Sequence, residues 1–333
     1  MLIREVSAAL ARLGLARRKI LVAASGGLDS TALVEALRLL SERDGLKLSI
    51  GHVNHGLRGS ESEADQDSVR ALAQALALPF CSVRVEPASL RRGRSSRERP
   101  TPQESARLLR YRALERMARE LGADVIATAH TADDQAETVL LRLMRGTGPD
   151  GLAGIPESSP DGRIVRPMLR VDRAEIRRFA RQRALRWRED SSNQSVAYAR
   201  NRLRLRWLPG LARDFNPRLL RAIGSLAEAQ RRDSEWIAGQ VEREAASRFA
   251  VEAGWLRIEA KDWQALPEAL ARRLVRWALV ECGGRRDVSR VHLERMLDFL
   301  RAGRPASHIE LPGGLRLERD ATGIRMGPLD LPA

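Results

Sequence analysis

Cysteine and long apolar runs are both scarce in this chain of 333 residues. The two cysteines, Cys81 and Cys282, are far apart and form no CxxC pair, which argues against a disulfide framework and against a cysteine-ligated metal site. No apolar run approaches the roughly 20 residues that a membrane-spanning helix needs, and arginine interrupts the amphipathic N-terminus. We therefore expect a cytoplasmic protein that is neither secreted nor inserted in a membrane.

Acidic residues are outnumbered by basic ones. The chain has 58 Lys and Arg against 43 Asp and Glu, so its formal charge is +15, and most of the basic residues are arginine. Such an excess favours phosphate backbones through counterion release, whereas a membrane surface would also require an anchor. The alternative explanation is a high-GC codon bias that raises the arginine content of proteins in general. The charge favours a nucleic acid as partner.

Apolar runs alternate with helical patterns between residues 19 and 145. The runs are 19–24, 48–53, 80–85 and 125–129, and the helical patterns lie around 62–78, 102–121 and 132–145. This alternation predicts an α/β fold with a doubly wound, mainly parallel sheet. After Leu208 and Pro209 the apolar residues recur mainly at helical intervals. A later segment around Gly313 and Gly314 is predicted to form a hairpin. We predict one domain over 1–209 and a smaller, mainly helical domain over 210–333.

A glycine-rich turn links the first apolar run to the next helix. Its residues are Ser25, Gly26, Gly27, Leu28, Asp29 and Ser30. Glycine lets backbone N–H groups approach an anion at a helix N-terminus, which predicts a phosphate site. The turn fits neither the P-loop nor the GxGxxG pattern. It resembles the PP-loop of ATP pyrophosphatases, which implies that 25–30 binds ATP and that Asp29 is associated with Mg²⁺. An ordinary glycine-rich turn is the alternative.

Polar residues follow the second apolar run, at the sheet edge where open α/β folds bind ligands. Asn54 and His55 are better candidates for nucleotide or RNA contact than His52, for which core packing is as good an explanation. Arg58 is either a further contact or a solvated side chain.

The pattern around 102–121 includes a helix start. Thr101 is predicted to cap it, with Pro102 in the first turn and Glu104 at the third position. Arg107 and Arg110 lie near Tyr111 on this helix, where they could neutralise phosphates; an ion pair between Arg107 and Glu104 is the alternative. The preceding stretch, 86–100, is predicted to be a mobile loop.

Three carboxylates open the helix predicted over 132–145. Asp133 is expected to cap the helix and compensate its dipole. Asp134 and Glu137 share one face, where they could bind an ammonium group or a hydrated Mg²⁺. His130 could orient or protonate a reacting group, or could simply be buried.

Several blocks in order resemble the tRNA(Ile)-lysidine synthetase family over about residues 19–209. They read SGGLDS, VNHGLR, ESARLLRY, TAHTADDQAET, RPML and EDSSNQSVAYARNRLR. The resemblance implies an enzyme that adenylates the wobble cytidine of a tRNA(Ile) with a CAU anticodon, using ATP, and then attaches L-lysine. It also implies a C-terminal domain that contacts tRNA, a short form of the enzyme, and, by analogy, a homodimer.

The resemblance also implies roles for particular residues. Asp29, Arg107 and His130 would be catalytic, and Asp134 and Glu137 would bind lysine. The predicted tRNA contacts are Asn54, His55, Arg58, Arg110, Arg202 and Arg204. The proton of the lysine ammonium would pass to a nearby carboxylate or to His130. Thr131 stands where the family commonly has a second histidine, and no role is assigned to it.

Arginines alternate with apolar residues at positions 200–206. If extended, they would line one face against an RNA backbone; we favour a helix, from which one or two would reach phosphates. Trp187 and Trp207 are expected in the core rather than as base-stacking platforms.

Three other functions fit parts of the pattern. A tRNA thiolase of the same superfamily would require cysteines for sulfur transfer or an iron-sulfur cluster, and the chain has only two. An amidating synthetase would require a glutaminase segment, which is not visible. A non-catalytic RNA-binding module would have no use for the SGGLDS and DDQAET blocks.

Overall fold

The computed structural model describes residues 1–56, 59–91, 101–189, 198–252, 254–284, 288–302, 304–320 and 323–329. It forms two compact units, Met1–Arg231 and Arg232–Ala333. The first unit extends past residue 209 because Ile223 and Ala227 share a small buried cluster with Ala136 and Val139.

The first unit is built around a parallel sheet with the strand order β3-β2-β1-β4-β5. The strands are β1 (Lys19–Ala23), β2 (Lys47–Asn54), β3 (Phe80–Arg84), β4 (Val125–Ala127) and β5 (Ile164–Val165). The helices are α1 (Leu2–Arg12), α2 (Leu28–Asp44), α3 (Ser60–Ala75), α4 (Pro102–Glu120), α5 (Ala132–Met144), α6 (Pro149–Leu152), α7 (Arg173–Gln182), α8 (Ala199–Arg202) and α9 (Leu208–Asp214). Helix α10 (Leu219–Arg248) begins in this unit and ends in the second. A π-helical turn, Leu203–Trp207, joins α8 to α9. The predicted doubly wound α/β fold is confirmed, and the segment around 200–206 is helical.

The central strand β1 is buried on both faces, as its unbroken apolar run predicts. Alternation along the strand sends Ile20 into the cluster that contains Leu37 of α2. It sends Leu21 to the opposite face, into the cluster that contains Leu114 and Met117 of α4. Helices α2 and α4 therefore cover opposite faces of the sheet.

The chain leaves β1 toward β2 and β3 on one side, and returns to β4 and β5 on the other. This reversal of strand order opens a crevice at the carboxyl ends of β1 and β4, which is where ligands bind in open α/β sheets. The turn at 24–27 and the segment 128–131 both start there.

Helix α4 begins as predicted. Thr101 Oγ1 accepts a hydrogen bond from the Glu104 N–H at 3.2 Å, and Glu104 Oε2 accepts one from the Thr101 N–H at 2.8 Å. Before it, Pro87–Arg91 forms a 3₁₀ turn. The rest of the predicted mobile loop, 92–100, lies outside the described residues.

The second unit combines helices with an antiparallel sheet of order β6-β7-β10-β9-β8. Its elements are β6 (Phe249–Glu252), β7 (Trp255–Ile258), α11 (Glu268–Glu281), α12 (Arg290–Ala302), β8 (Ser307–Leu311), β9 (Leu315–Arg319) and β10 (Ile324–Pro328). The predicted hairpin is β8–β9, and Gly313 and Gly314 turn it at φ values of 86° and 72°. Among the described residues, no helix combines the length and apolarity that crossing a membrane requires.

Candidate active site

The turn between β1 and α2 presents backbone N–H groups at the start of a helix. Gly26 has φ 85°, in the left-handed region that favours glycine. Gly27 is the N-cap of α2, and no side chain caps the helix there. The first N–H groups of α2 are therefore available to an anion, and the binding of ATP phosphates there stays a prediction.

Two side chains hold this turn in shape. The Ser30 hydroxyl accepts a hydrogen bond from the Ser25 N–H at 3.1 Å and donates one to the Gly27 carbonyl at 3.0 Å. His52, buried on β2, lies with Nδ1 2.9 Å from the Ala24 carbonyl. Burial lowers the pKa of His52, so the imidazole is neutral and its Nδ1–H donates to that carbonyl. His52 thus stabilises the turn through its hydrogen bond to Ala24.

Asp29 has one satisfied carboxylate oxygen and one buried oxygen without a partner. Its Oδ2 lies 3.1 Å from Nε and 3.0 Å from Nη2 of Arg173. Its Oδ1 is buried and has no hydrogen-bond partner among the described residues. Burial raises the pKa of Asp29, although Arg173 opposes the rise. A hard carboxylate oxygen beside a phosphate cradle fits Mg²⁺, which is commonly held by one or two carboxylates and by substrate phosphates.

Arg173 was not predicted from the sequence. It begins α7, after β5, and its N–H donates to Asp133 Oδ2 at 2.9 Å. Its Nη2 also lies 3.9 Å from Asp134 Oδ1. Arg173 therefore lies between the phosphate cradle and the carboxylates of α5. Its distance in sequence from Asp29 left no local pattern that could have revealed it.

The carboxylates of α5 are paired with arginines that follow Tyr198. Glu137, whose side chain is fully buried, accepts Arg200 Nε on Oε2 at 2.5 Å and Arg204 Nε on Oε1 at 2.5 Å. Asp134 Oδ1 lies 3.1 Å from Arg200 Nη2. The pKa of Asp134 is lowered, because Arg173 and Arg200 outweigh the effect of burial. Arg204, predicted as a tRNA contact, points toward these carboxylates, and its RNA role stays a prediction, as does lysine binding by Asp134 and Glu137.

Thr131, to which no role was assigned, caps α5. Its side chain is buried, and its Oγ1 accepts a hydrogen bond from the Asp134 N–H at 3.2 Å. In return Asp134 Oδ2 accepts the Thr131 N–H at 2.9 Å. The expectation that Asp133 caps this helix was wrong, because Asp133 already lies inside the first turn of the helix and binds the N–H of Arg173 instead.

A second cluster gathers positive charge around His130. The Cζ atoms of Arg107 and Arg110 lie 5.1 Å and 5.2 Å from the ring centroid of Tyr111. Arg166, from the RPML block, is buried and donates to the Pro156 carbonyl at 2.7 Å. The cluster brings together two arginines of α4 and one that follows β5.

The imidazole of His130 is neutral in this surrounding. Its Nδ1 lies 2.9 Å from Thr128 Oγ1. Burial, together with the charges of Arg166 and Arg110, lowers the pKa of His130 to about 3 against the opposing effect of Asp134. The cluster thus offers cations and a neutral ring to an anionic group, as expected for a reacting phosphate.

The predicted RNA contacts after β2 are engaged within the protein. Asn54 is buried; its Nδ2 donates to the Ser62 carbonyl at 3.2 Å, and its Oδ1 accepts the Gly56 N–H at 2.9 Å. His55 is partly buried. Arg58 lies outside the described residues. The roles of these three residues in RNA binding stay predictions.

The two tryptophans expected in the core differ from each other. Trp187 is half-buried. Trp207 is 58% exposed, so the expectation of a core position was wrong for it. Leu203 and Leu208 provide the buried contacts of this helical segment, and Trp207 projects from its exposed side.

A glycine turn after the first strand, a capless helix start and an acidic residue at its second position define a PP-loop ATP-binding protein. The family described as PP-loop domain matches residues 2–211, and the family described as TilS substrate binding domain matches residues 259–321. The chain belongs to the tRNA(Ile)-lysidine synthase family.

Several relatives carry that name, among them those of three organisms. The protein of Solibacter usitatus is 38% identical, covering 93% of this chain and 67% of the relative. That of Thermus thermophilus is 40% identical over 90% of this chain and 55% of the relative. That of Nostoc sp. is 34% identical over 89% of this chain and 87% of the relative. The chain thus spans about half to two thirds of the length of the first two.

One solved structure shows the same fold at low identity. It is the U34-tRNA thiolase NcsA from Methanococcus maripaludis with its [4Fe-4S] cluster, which aligns with a TM-score of 0.56 and 18% identity over 68% of this chain and 78% of that chain. At this identity the likeness supports the fold alone.

Proposed function

We propose that this chain attaches L-lysine to the wobble cytidine of a tRNA(Ile) with a CAU anticodon, converting ATP to AMP and pyrophosphate and forming lysidine. The observation that carries the proposal is the position of Arg173, which bonds with Asp29 of the phosphate cradle and approaches Asp134 of the carboxylate cluster. These contacts support a phosphate site next to an ammonium site at one sheet edge. Family membership supplies the reaction.

The ATP phosphates are assigned to the N–H groups of the turn at 25–30 and the start of α2. Oδ1 of Asp29, which has no partner among the described residues, would hold Mg²⁺, and the ion would neutralise phosphate charge. Arg173, already bonded to Oδ2, keeps the Asp29 carboxylate oriented.

In the first step, the cytidine C2 oxygen attacks the α-phosphorus and the bond to pyrophosphate breaks. Arg107 and Arg110 are positioned to neutralise the reacting phosphate, with His130 neutral beside them. A neutral imidazole can accept a hydrogen bond or a proton there without adding charge beforehand.

In the second step, the lysine side-chain amine attacks C2 and AMP leaves with the C2 oxygen. Asp134 and Glu137 would hold the incoming ammonium, which requires Arg200 to leave Oδ1 of Asp134 and Oε2 of Glu137 while Arg204 stays paired with Glu137. Arg200 can do so, because its side chain is 42% exposed and could bind an RNA phosphate instead. The proton that the ammonium must lose passes to one of these carboxylates or to His130.

A tRNA thiolase is the alternative within the same fold. Burial raises the pKa of Cys81 and raises that of Cys282 to about 11, so neither thiol is a ready nucleophile. The homodimer and the cytoplasmic location stay predictions.

The two half-reactions test the proposal separately. With purified tRNA(Ile), ATP and Mg²⁺ but no lysine, we expect tRNA-dependent pyrophosphate release; adding lysine should then release AMP. Asp29→Asn should abolish pyrophosphate release while tRNA affinity is largely preserved. Pyrophosphate release that does not depend on tRNA would contradict the proposal, as would AMP release that another amine supports better than lysine.

A further inference from the structure

Helix α9 and its flanking residues carry an exposed apolar stripe. Trp207, Leu211 and Phe215 recur every four residues, so they lie along one side of the helix. They are 58%, 37% and 81% exposed, whereas Leu208 is buried. An apolar stripe with two open aromatic rings is a candidate binding surface.

The surroundings of the stripe are strongly basic. Positions 198–218 contain Arg200, Arg202, Arg204, Arg206, Arg213 and Arg218, and Asp214 is their one acidic residue. Arg206 and Arg218 are exposed, and neither forms an ion pair within the part of the chain that the structure describes. Aromatic rings interspersed with exposed cations are the composition of single-stranded nucleic acid sites.

A second copy of the chain is a weaker candidate for this stripe. A stable interface buries about 800 Å² on each partner, whereas a buried aromatic side chain contributes about 150–250 Å². Two partly exposed rings and one leucine do not reach that area. The arginines around them would also repel an identical basic surface.

The stripe continues from the candidate active site. Arg200, which contacts Asp134 and Glu137, precedes Trp207 by seven residues in one helical segment. At about 1.5 Å per residue this is roughly 10 Å along the segment. An RNA strand with one base in the site would therefore extend its neighbouring bases over the stripe.

We propose that Trp207, Leu211 and Phe215 form a stacking platform for unpaired bases that neighbour the modified base in the substrate RNA loop. The rings of Trp207 and Phe215 stack on the faces of the bases, and Arg206 and Arg218 neutralise the neighbouring phosphates. The identity of the RNA rests on the proposed function, whereas the preference for an unpaired loop rests on the rings and the charge.

The test compares two RNA probes without ATP or lysine. One is an anticodon stem-loop with a CAU anticodon, and the other is a blunt duplex with the same number of phosphates. The double variant Trp207→Ala and Phe215→Ala should lose about tenfold in affinity for the stem-loop and should bind the duplex like the wild type. Trp207→Phe should keep most of the affinity because it keeps a ring.

Two controls separate stacking from other effects. Leu39→Ala removes an apolar side chain of α2 that is 38% exposed, about as much as Leu211, and should leave both affinities unchanged. Arg206→Ala should reduce the slope of log affinity against log salt by about 0.7, whereas the ring variants should leave that slope unchanged. Thermal melting by circular dichroism should show all variants folded.

Three outcomes would overturn the platform. They are wild-type affinity of the double variant for the stem-loop, equal losses of affinity on both probes, and a sedimentation profile in which the wild type is a dimer and the double variant is a monomer. Because binding is measured without the co-substrates, the platform and the lysidine reaction fail independently. A wild-type protein that binds the stem-loop through the rings but incorporates no lysine would refute only the reaction.

Discussion

The neutral imidazole of His130 links the candidate site to the stability of the fold. From its ordinary pKa of 6.5 down to about 3, the unfolded ring binds a proton that the folded ring excludes. Stability therefore falls as the pH falls through this window. The groups that face the ring are Asp134, Arg166, Arg110 and Arg107.

We predict that His130→Gln reduces the loss of stability between pH 7 and pH 5. The wild-type contribution of this ring to that loss is about 1–2 kcal/mol, at about 1.4 kcal/mol per pH unit. Urea unfolding at both pH values measures it, with His308→Gln at an exposed strand position as the control. An unchanged difference between the two pH values would mean that His130 is not held neutral.

Glu137 is predicted to stabilise the fold as well as to bind lysine. Its carboxylate is fully buried between Arg200 and Arg204, so Glu137→Ala should lower the free energy of unfolding by about 3–5 kcal/mol, because two charged partners lose their counter-ion. Glu120→Ala is the matched control, because Glu120 is exposed and pairs with Arg116 across 3.6 Å. This substitution should lower the free energy of unfolding by less than about 1 kcal/mol. If Glu137 served lysine alone, chemical denaturation would show no loss.

At the scale of elements, helix α5 depends on the residue that caps it. Thr131 caps the helix and holds Asp134 through the reciprocal bond, so Thr131→Val should cost about 1 kcal/mol of stability and weaken lysine use. Thr131→Ser keeps the hydroxyl and should restore both. Denaturation and the KM for lysine are the two measurements; a Val variant with a wild-type KM would show that the cap does not position Asp134.

Periodicity in the sequence predicted the elements that local patterns control. The runs at 19–24 and 125–129 became β1 and β4, and the capping residues placed the start of α4 correctly. β5 has only two residues, and β6 and β7 have four each, so these short strands did not stand out from the helical background. The hairpin β8–β9 was predicted, because its residues alternate around Gly313 and Gly314.

The candidate site was predictable where its residues adjoin a strand end. The turn at 25–30, His130 and the carboxylates of α5 follow β1 and β4 directly, so topology brings them together. Arg173 and Arg200 were missed because only tertiary packing places them against Asp29 and Glu137. Trp207 was misjudged because a short helical segment does not reveal which side faces solvent.

At the scale of the whole molecule, the charge of +15 predicts a salt-dependent complex with tRNA. Each phosphate neutralised contributes about 0.9 to the slope of log affinity against log salt on a duplex and about 0.7 on single strands. Filter binding between about 50 and about 200 mM salt should therefore show a steep decline. A flat response would refute the basic surface as the tRNA site.

Lysine incorporation tests the central claim most directly. Labelled lysine would be supplied with ATP and Mg²⁺ to tRNA(Ile) and to methionine tRNA, both with a CAU anticodon, using the wild-type chain and Asp29→Asn. We predict label in tRNA(Ile) alone, and none with the variant. Label in neither tRNA, or in both equally, would contradict the proposal that this chain has tRNA(Ile)-lysidine synthase activity.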